Sequence, residues 1–143
     1  MVEKTKLTIA RYGWQLTMVE GGLFGPGFGY TAGLTERRHP ELLVTGRDTQ
    51  QTAGILHELV GIVLGRGHVL TAGMELPLHT REVYLAPLAD PAPVLALAAR
   101  IYRHRLRALQ AVWVDDDGLL PWEQQVSDAR AQPLYGAPPG PEP

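Results

Sequence analysis

The stretch from residue 25 to residue 46 constrains the fold of this chain more than any other. Its letters, GPGFGYTAGLTERRHPELLVTG, predict two strands, at residues 28–34 and 41–45, joined by a polar connection at residues 35–40. The second strand reads ELLVT, a short apolar run that is typical of a strand buried on both faces. The chain must therefore place this strand inside a sheet that other elements cover.

The elements before this stretch predict a helix and a hairpin. Residues 3–12 are consistent with a short helix that ends at Gly13, because glycine is the usual C-terminal stop of a helix, but their Thr and Ile content also leaves a strand open. Residues 14–20 alternate apolar and polar side chains, which predicts a half-buried strand. A glycine-rich turn at residues 21–27 would then return the chain, so residues 14–20 and 28–34 are predicted to form an antiparallel hairpin.

A long amphipathic helix is predicted over residues 48–64. Asp48 is positioned to cap it, with Gln51 three residues later, and glycines 65 and 67 end it. Its apolar face is expected to pack on the sheet through four side chains, namely Leu56, Leu59, Val60 and Val63.

The second half of the chain predicts more strands and one more helix. We expect strands at residues 68–79, 81–88 and 109–114, with Pro77 marking an edge strand because proline cannot donate to a ladder. A helix is predicted at about residues 91–104. The fold class is therefore α+β: a single compact domain over residues 1–132, with a mostly antiparallel or mixed sheet and two main helices packed on it. Residues 133–143 are rich in Pro and Gly and are predicted to be a disordered tail.

Composition excludes several chemistries. The 143 residues include no cysteine, so disulfides, thiolate metal sites and cysteine nucleophiles are absent. Ser127 is the sole serine, and the two lysines lie near the N-terminus, which disfavours a serine nucleophile elbow and a core Schiff base. The net charge of −2 favours neither nucleic acid nor an anionic membrane as a partner. No signal peptide and no apolar run of about 18 residues occur, so a cytoplasmic location is expected.

Four short motifs follow one another along the chain: Gly13-Trp14, FGYTAGL at residues 28–34, HPEL at residues 39–42, and a late run from Trp113 through DDDG to PWE at residues 121–123. Together they resemble a bacterial family known as domain of unknown function 4262, whose members share a GW, a YTxGL, a PEL and a DxxGxxPWE. The likeness covers roughly residues 9–135, although the family more often has a proline before its aspartate where this chain has DDDG. The resemblance implies a small intracellular bacterial domain and brings no reaction with it.

Three motifs come close to known sites and fall short of them. Residues 57–61 begin like the zinc motif HExxH, but Gly61 stands where the second histidine belongs. The GPGFG run lacks the third glycine and the following helix of a dinucleotide site. The DDDG run at residues 115–118 fits a turn better than a calcium loop. We therefore predict no metal site, and the sequence identifies no cofactor.

The basic cluster from Arg100 to Arg107 lies at the end of a predicted helix. We expect it to complement the helix dipole and to pair with the acids at residues 115–117.

One ligand site is hypothesised from two segments in or beside which charged and aromatic side chains are concentrated. It would form where the 35–40 connection meets the 115–123 loop, because loops position accessible polar groups more often than strands do. A histidine beside a carboxylate would supply its acid–base pair. Its candidate residues are Arg37, Arg38, His39, Glu41, Asp115, Asp117, Trp122 and Glu123.

Three functions remain open from the sequence. The first is a non-enzymatic domain that binds a small molecule or a protein partner, with a homodimer possible. The second is a hydrolase or isomerase that uses histidine and carboxylate chemistry, since serine, cysteine and lysine chemistry is nearly absent. The third is an immunity-type inhibitor that binds a toxin through an acidic surface.

Overall fold

A six-stranded mixed sheet forms the centre of the protein. The computed structural model of the chain describes residues 1–22, 26–125 and 131–140. The strands are β1 (Gln15–Val19), β2 (Phe28–Ala32), β3 (Glu41–Thr45), β4 (Glu75–Pro77), β5 (Glu82–Pro87) and β6 (Ala108–Trp113). Their order across the sheet is β1-β2-β3-β6-β5-β4. Only the pairing of β3 with β6 is parallel among these neighbours. The predicted α+β class with a mixed sheet is confirmed.

Three helices cover the two faces of this sheet. They are α1 (Val2–Tyr12), α2 (Thr49–Val60) and α3 (Ala96–Tyr102), and α2 continues as a π-helix over Gly61–Gly65. Leu42 and Val44 of β3 pack with α2, whereas Leu43 packs with α1 and α3. Because side chains alternate between the faces of a strand, α2 lies on one face and α1 and α3 lie on the other. No helix in the described part of the chain is long and apolar enough to cross a membrane.

The predicted signals at the helix ends act as expected. The Asp48 carboxylate accepts a hydrogen bond of 2.7 Å from the Gln51 amide at the start of α2. Gly13 ends α1 with φ at 89° and donates its amide to Ile9. The apolar face predicted for α2 is confirmed, since Leu56, Leu59, Val60 and Val63 are all buried.

Two elements are shorter than predicted. The strand predicted at residues 68–79 covers Glu75–Pro77 alone, because Gly73 takes a positive φ angle that interrupts an extended backbone. The helix predicted at residues 91–104 is reduced to α3 over Ala96–Tyr102. The predicted edge position of Pro77 is confirmed, since β4 is the last strand of the sheet. The glycine-rich turn predicted at residues 21–27 falls partly outside the described residues, at 23–25.

The segment after residue 131 docks on the sheet and makes hydrogen bonds to residues of β3, β5 and β6. The buried Gln110 side chain accepts hydrogen bonds from the amides of Tyr135 and Gly136, at 2.8 and 2.9 Å, and donates to the carbonyl of Pro133. The Gln132 side chain pairs with both the amide and the carbonyl of Trp113. Residues 133–137 therefore differ from the disordered tail that their composition predicted, because two buried glutamines give their backbone specific partners.

We predict that removing residues 132–143 destabilises the protein by about 2–5 kcal/mol, since Gln110 and the Trp113 backbone would lose buried hydrogen-bond partners. The matched control removes residues 138–143 alone, because residues 138–140 are exposed. Thermal and urea unfolding of the two truncations measure the difference. Equal stabilities would show that the docked segment contributes nothing.

Candidate functional site

The two halves of the hypothesised site lie at opposite ends of the sheet. Residues 35–40 come directly before β3, and residues 115–123 come directly after β6. Since β3 and β6 are parallel, the start of one strand and the end of the other are separated by about 20 Å, the length of a six-residue strand. The prediction of one shared site was therefore wrong, because it required a pairing direction that the local pattern does not specify.

Glu41 lies at the first position of β3 and is fully buried, with 0% of its surface exposed. Its carboxylate accepts five hydrogen bonds. Two come from the hydroxyls of Thr31 and Thr35, at 2.8 and 2.6 Å, and three come from the amides of Gly33, Leu34 and Thr35, at 3.2, 3.1 and 2.8 Å. Burial raises the pKa of Glu41, and the hydrogen bonds from the two threonines and Leu34 offset part of that rise. Glu41 thus holds the turn after β2 and has no free oxygen for a ligand.

Gly33 joins this turn to the end of α1. Its φ of 127° favours glycine, and a Cβ placed there would lie 2.6 Å from the Gly13 carbonyl oxygen and 2.7 Å from Trp14 Cα. On the same strand as Thr31, the Tyr30 hydroxyl accepts a hydrogen bond of 3.0 Å from the Leu97 amide. The GW, YTxGL and PEL motifs of the sequence therefore meet in one buried contact region, whose residues position α1 and α3.

His39 is also committed to structure. One ring nitrogen, Nδ1, lies 2.7 Å from the Pro40 carbonyl, and the other, Nε2, accepts a hydrogen bond of 2.9 Å from the Leu70 amide. These partners assign the neutral ring with its proton on Nδ1. Burial lowers the pKa of His39, and the nearby Arg107 lowers it further, against the effect of the Pro40 carbonyl. The ring anchors the segment that carries Leu70, so it is a positioning residue.

The remaining nominated residues near β3 are exposed. Arg37 and Arg38 both face solvent, and the Arg38 carbonyl accepts a hydrogen bond from Arg107. The pairing predicted between the basic cluster and the acids at residues 115–117 was wrong, because the cluster precedes β6 and the acids follow it. Asp116 instead contacts Arg81 at 3.2 Å.

The 115–123 loop uses its nominated side chains to close itself. Asp115 accepts hydrogen bonds from the amides of Asp117 and Leu119, both at 2.9 Å, and Glu123 accepts one of 2.8 Å from Leu120. Trp122 packs edge-on against Tyr84, with ring centroids 5.0 Å apart. Asp117 is exposed. The late motif thus forms a lid over the apolar cluster on β5 and β6, and its acids serve the turn.

A cavity of about 890 Å³ lies between the C-terminal end of α2 and the arm that carries β4. We name it the histidine cleft. Its exposed lining residues include three histidines and one arginine, namely His57, His68, His79 and Arg66. Its less exposed lining is largely apolar and includes Ile62, Leu70, Leu76 and Leu78. The π-helix at Gly61–Gly65 forms one of its walls, and such irregular turns occur frequently at functional sites.

Two side chains fix the walls of the histidine cleft. The Glu58 carboxylate accepts hydrogen bonds from the amides of His79 and Thr80, at 2.6 and 3.0 Å. Burial alone would raise the pKa of Glu58, but these hydrogen bonds lower it, so the group is an ionised acceptor. His57 packs edge-on against Trp14 at 4.9 Å. Among the residues that the structure describes, no three histidine or acidic side chains converge as metal ligands.

A second cavity, about 510 Å³, lies on the other side of the sheet. We name it the Tyr102 cleft. Its lining includes Lys6 from α1, Glu36 and Arg37 from the turn before β3, and Tyr102 and Arg105 from the end of α3. Burial raises the pKa of Tyr102, and the Glu36 carboxylate raises it further. Arg37, one of the nominated residues, thus faces a cavity together with charged side chains from distant parts of the chain.

Apart from Arg37, the residues nominated from the sequence include no member of either cleft. His57 and Gly61 had been considered as an incomplete zinc motif, and no pattern linked them to His68 or His79. The glycines at 61 and 65 were the nearest available signal, since they flank the π-helix. Tyr102 carries no sequence signal, because its importance rests on an unpaired hydroxyl that only the tertiary structure displays.

Comparison with known proteins identifies a family. The family model described as Domain of unknown function (DUF4262) matches residues 8–127, which confirms the predicted resemblance to that family. No curated protein matches the chain. No solved structure matches it either.

We predict that Glu41→Gln destabilises the protein by about 2–5 kcal/mol. The side-chain NH2 group of glutamine is a donor, so it would face backbone amides that are also donors and whose direction is fixed by the turn. Urea unfolding at pH 7 measures this loss. The matched control is Glu75→Gln, an exposed glutamate on β4, which should leave stability unchanged. A Glu41→Gln variant as stable as the wild type would contradict the account of this network.

We predict a pH-dependent contribution from His39. Because its folded pKa lies below the usual value of 6.5, its contribution to stability is complete above that value and is lost as pH falls below it. Glu41 acts with the opposite sign, since a raised carboxyl pKa makes stability fall as pH rises above 4.5. The comparison of His39→Ala with the wild type therefore isolates the histidine.

The expected result for His39→Ala is a loss of about 1–3 kcal/mol at pH 7.5, where the Leu70 amide loses its acceptor, and a flatter stability profile between pH 5 and 7. Chemical unfolding across that range provides the measurement. His104→Ala, at an exposed histidine, is the control. A profile for His39→Ala as steep as that of the wild type would refute the assignment.

Proposed function

Because the chain belongs to the DUF4262 family of domains of unknown function, we propose from its own geometry that it is a binding module that holds a small molecule in the histidine cleft. The observation that carries this proposal is the composition of that cavity. A large concave surface that is mostly apolar, with a few polar groups converging on it, is the usual form of a small-molecule site. Here the apolar lining combines with three histidines and Arg66.

The lining indicates a ligand with an apolar body and an acidic or hydrogen-bonding head group. Ile62, Leu76 and Leu78 supply apolar contact surface. Arg66 is a permanent cation with a planar set of donors, which suits a carboxylate. In the described part of the chain, neither the guanidinium group of Arg66 nor the rings of His57, His68 and His79 make a hydrogen bond to protein, so a ligand can pair with them without breaking the fold.

A binding role is favoured over a hydrolase or isomerase by the state of the nominated acid–base groups. Both ring nitrogens of His39 and both oxygens of Glu41 are engaged by protein partners. A general base must reach a substrate proton with a free lone pair. Within the histidine cleft, the Glu58 carboxylate is likewise occupied by backbone amides.

Rigid walls further support a binding role. Leu70 on one wall is tied to His39, and the segment at residues 79–80 on the other is tied to Glu58. A cavity whose walls are fixed before binding loses less entropy when the ligand enters.

Gly61 offers a direct way to block the cleft. It lines the cavity with ordinary helical angles, φ −58° and ψ −37°, and a Cβ there meets no atom within 4 Å. Gly65 is equally open but does not line the cavity, so it provides a matched control. We predict that ligands found by NMR screening of small organic acids and neutral analogues lose at least about tenfold in affinity in Gly61→Phe, or about 1.4 kcal/mol, and keep their affinity in Gly65→Phe.

Amide chemical shifts locate the binding site independently. Ligands should perturb amides within residues 57–79, and Arg66→Gln should weaken the acids more than the neutral analogues. Ligands that bind Gly61→Phe as tightly as the wild type would contradict the proposal. A library in which nothing binds would contradict it as well.

A further inference from the structure

We propose that the Tyr102 cleft is a second binding site, separate from the histidine cleft, and that it takes a small organic anion, a carboxylate or phosphate carried on an apolar body. The inference goes beyond the function proposed above, because the two cavities lie on opposite sides of the sheet. It rests on an unsatisfied buried donor, on converging cations and on local backbone strain.

The Tyr102 hydroxyl is the first observation. The residue is 2% exposed, and its hydroxyl oxygen is buried without a hydrogen-bond partner. Buried hydroxyls are nearly always paired, because an unpaired one has lost its hydrogen bonds to water without replacement. The Glu36 carboxylate raises the pKa of the Tyr102 hydroxyl, both as an approaching hydrogen-bond acceptor and through its charge, yet the two groups do not meet the distance and angles of a hydrogen bond. An exposed side chain such as Glu36 can swing away, so an incoming anion can take its place.

The charges around the cleft are the second observation. Lys6, Arg37 and Arg105 line it together with one acid, Glu36, although the whole chain has a net charge of −2. The guanidinium carbon of Arg105 lies 5.5 Å from the centre of the Tyr102 ring. Lys6 has one weak contact, with Glu3 at 3.8 Å on the surface. Three cations that come from separate elements and face one acid leave an excess of positive charge for a ligand to neutralise.

The backbone beside the cleft is the third observation. Arg103 directly follows Tyr102 and takes φ 54° and ψ −126°, a conformation that side chains rarely adopt. This turn ends α3 and directs the following residues so that Arg105 returns over the Tyr102 ring. Arg38, next to Arg37, is the other non-glycine residue with positive φ in the described part of the chain. Strain of this kind concentrates at binding and catalytic sites.

The apolar part of the lining defines the rest of the ligand. Ile9 and Ala10 of α1 and Ile101 of α3 complete the cavity, so a bare inorganic ion would leave most of it unfilled. A ring or branched chain would pack against these side chains, while its anionic group accepts from the Tyr102 hydroxyl and pairs with Arg105 and Arg37. Charge-assisted hydrogen bonds of this type are the strongest that side chains make.

The test uses benzoate, phenyl phosphate, benzamide and inorganic phosphate as probes, with the full chain at low salt. Isothermal titration and amide chemical shifts should show that one or both organic anions bind, whereas benzamide and inorganic phosphate bind at least about tenfold more weakly. The comparison of benzoate with phenyl phosphate shows which anionic group is preferred. Tyr102→Phe and Arg105→Gln should each weaken the anion about tenfold. Glu36→Gln should strengthen it, because it removes the competing acid.

Arg100→Gln is the matched control, since Arg100 belongs to the same basic cluster but does not line the cleft. It should leave anion affinity unchanged. Thermal unfolding adds an independent readout: Tyr102→Phe should be at least as stable as the wild type, because the hydroxyl it removes has no partner.

Four results would each overturn the proposal. They are the absence of anion binding, equal binding of benzamide, unchanged affinity in Tyr102→Phe, and a clear drop in melting temperature for Tyr102→Phe. The last result would mean that the hydroxyl is satisfied within the protein and needs no ligand.

Discussion

The buried carboxylate of Glu41 is the interaction on which the rest of the structure depends. A carboxylate removed from water is costly unless donors replace its hydration, and here five donors from one short turn converge on it. This network fixes the path between β2 and β3, and Gly33 within it sets the contact with the end of α1. Three of the four motifs noted in the sequence therefore meet at a single structural feature, the turn held by Glu41.

The Glu41 network is also related to the two clefts for which binding is proposed. These clefts lie on opposite sides of the sheet, one beside α2 and one between α1 and α3. Gly13 and Gly33 line the second cavity, and Trp14 contacts His57 at the first. Residues of the sequence motifs thus contribute to or contact the walls of both clefts, while the charged and titratable groups that line the clefts come from residues outside the motifs.

Local patterns in the sequence predicted the secondary-structure elements well, but they predicted the tertiary contacts between these elements poorly. The alternation in residues 14–20, the apolar run in β3 and the Asp48 cap act over a few residues, so they can be read directly. The parallel contact of β3 with β6 joins residues more than 60 positions apart, and no short-range pattern specifies its direction. Because of that one pairing, His39 and Asp117 lie at opposite ends of the sheet, so the site hypothesised from their two segments does not form.

The C-terminal segment also shows that local sequence patterns do not specify long-range contacts. Its proline and glycine content predicts disorder, because composition counts what a segment can bury by itself. Composition does not show that the side-chain amide of Gln110, more than 20 positions earlier, makes hydrogen bonds to the backbone of residues 133–136. The Tyr102 cleft is likewise a product of three elements, and no stretch of the chain carries its pattern.

Native-state hydrogen exchange of the turn amides tests the central claim most directly. If the Glu41 carboxylate holds the turn, the amides of Leu34 and Thr35 exchange only when the whole domain unfolds, with the same protection as Leu43 in the centre of the sheet. The account predicts this equality. Rapid exchange of these two amides, at the rate of exposed loop residues, would contradict it.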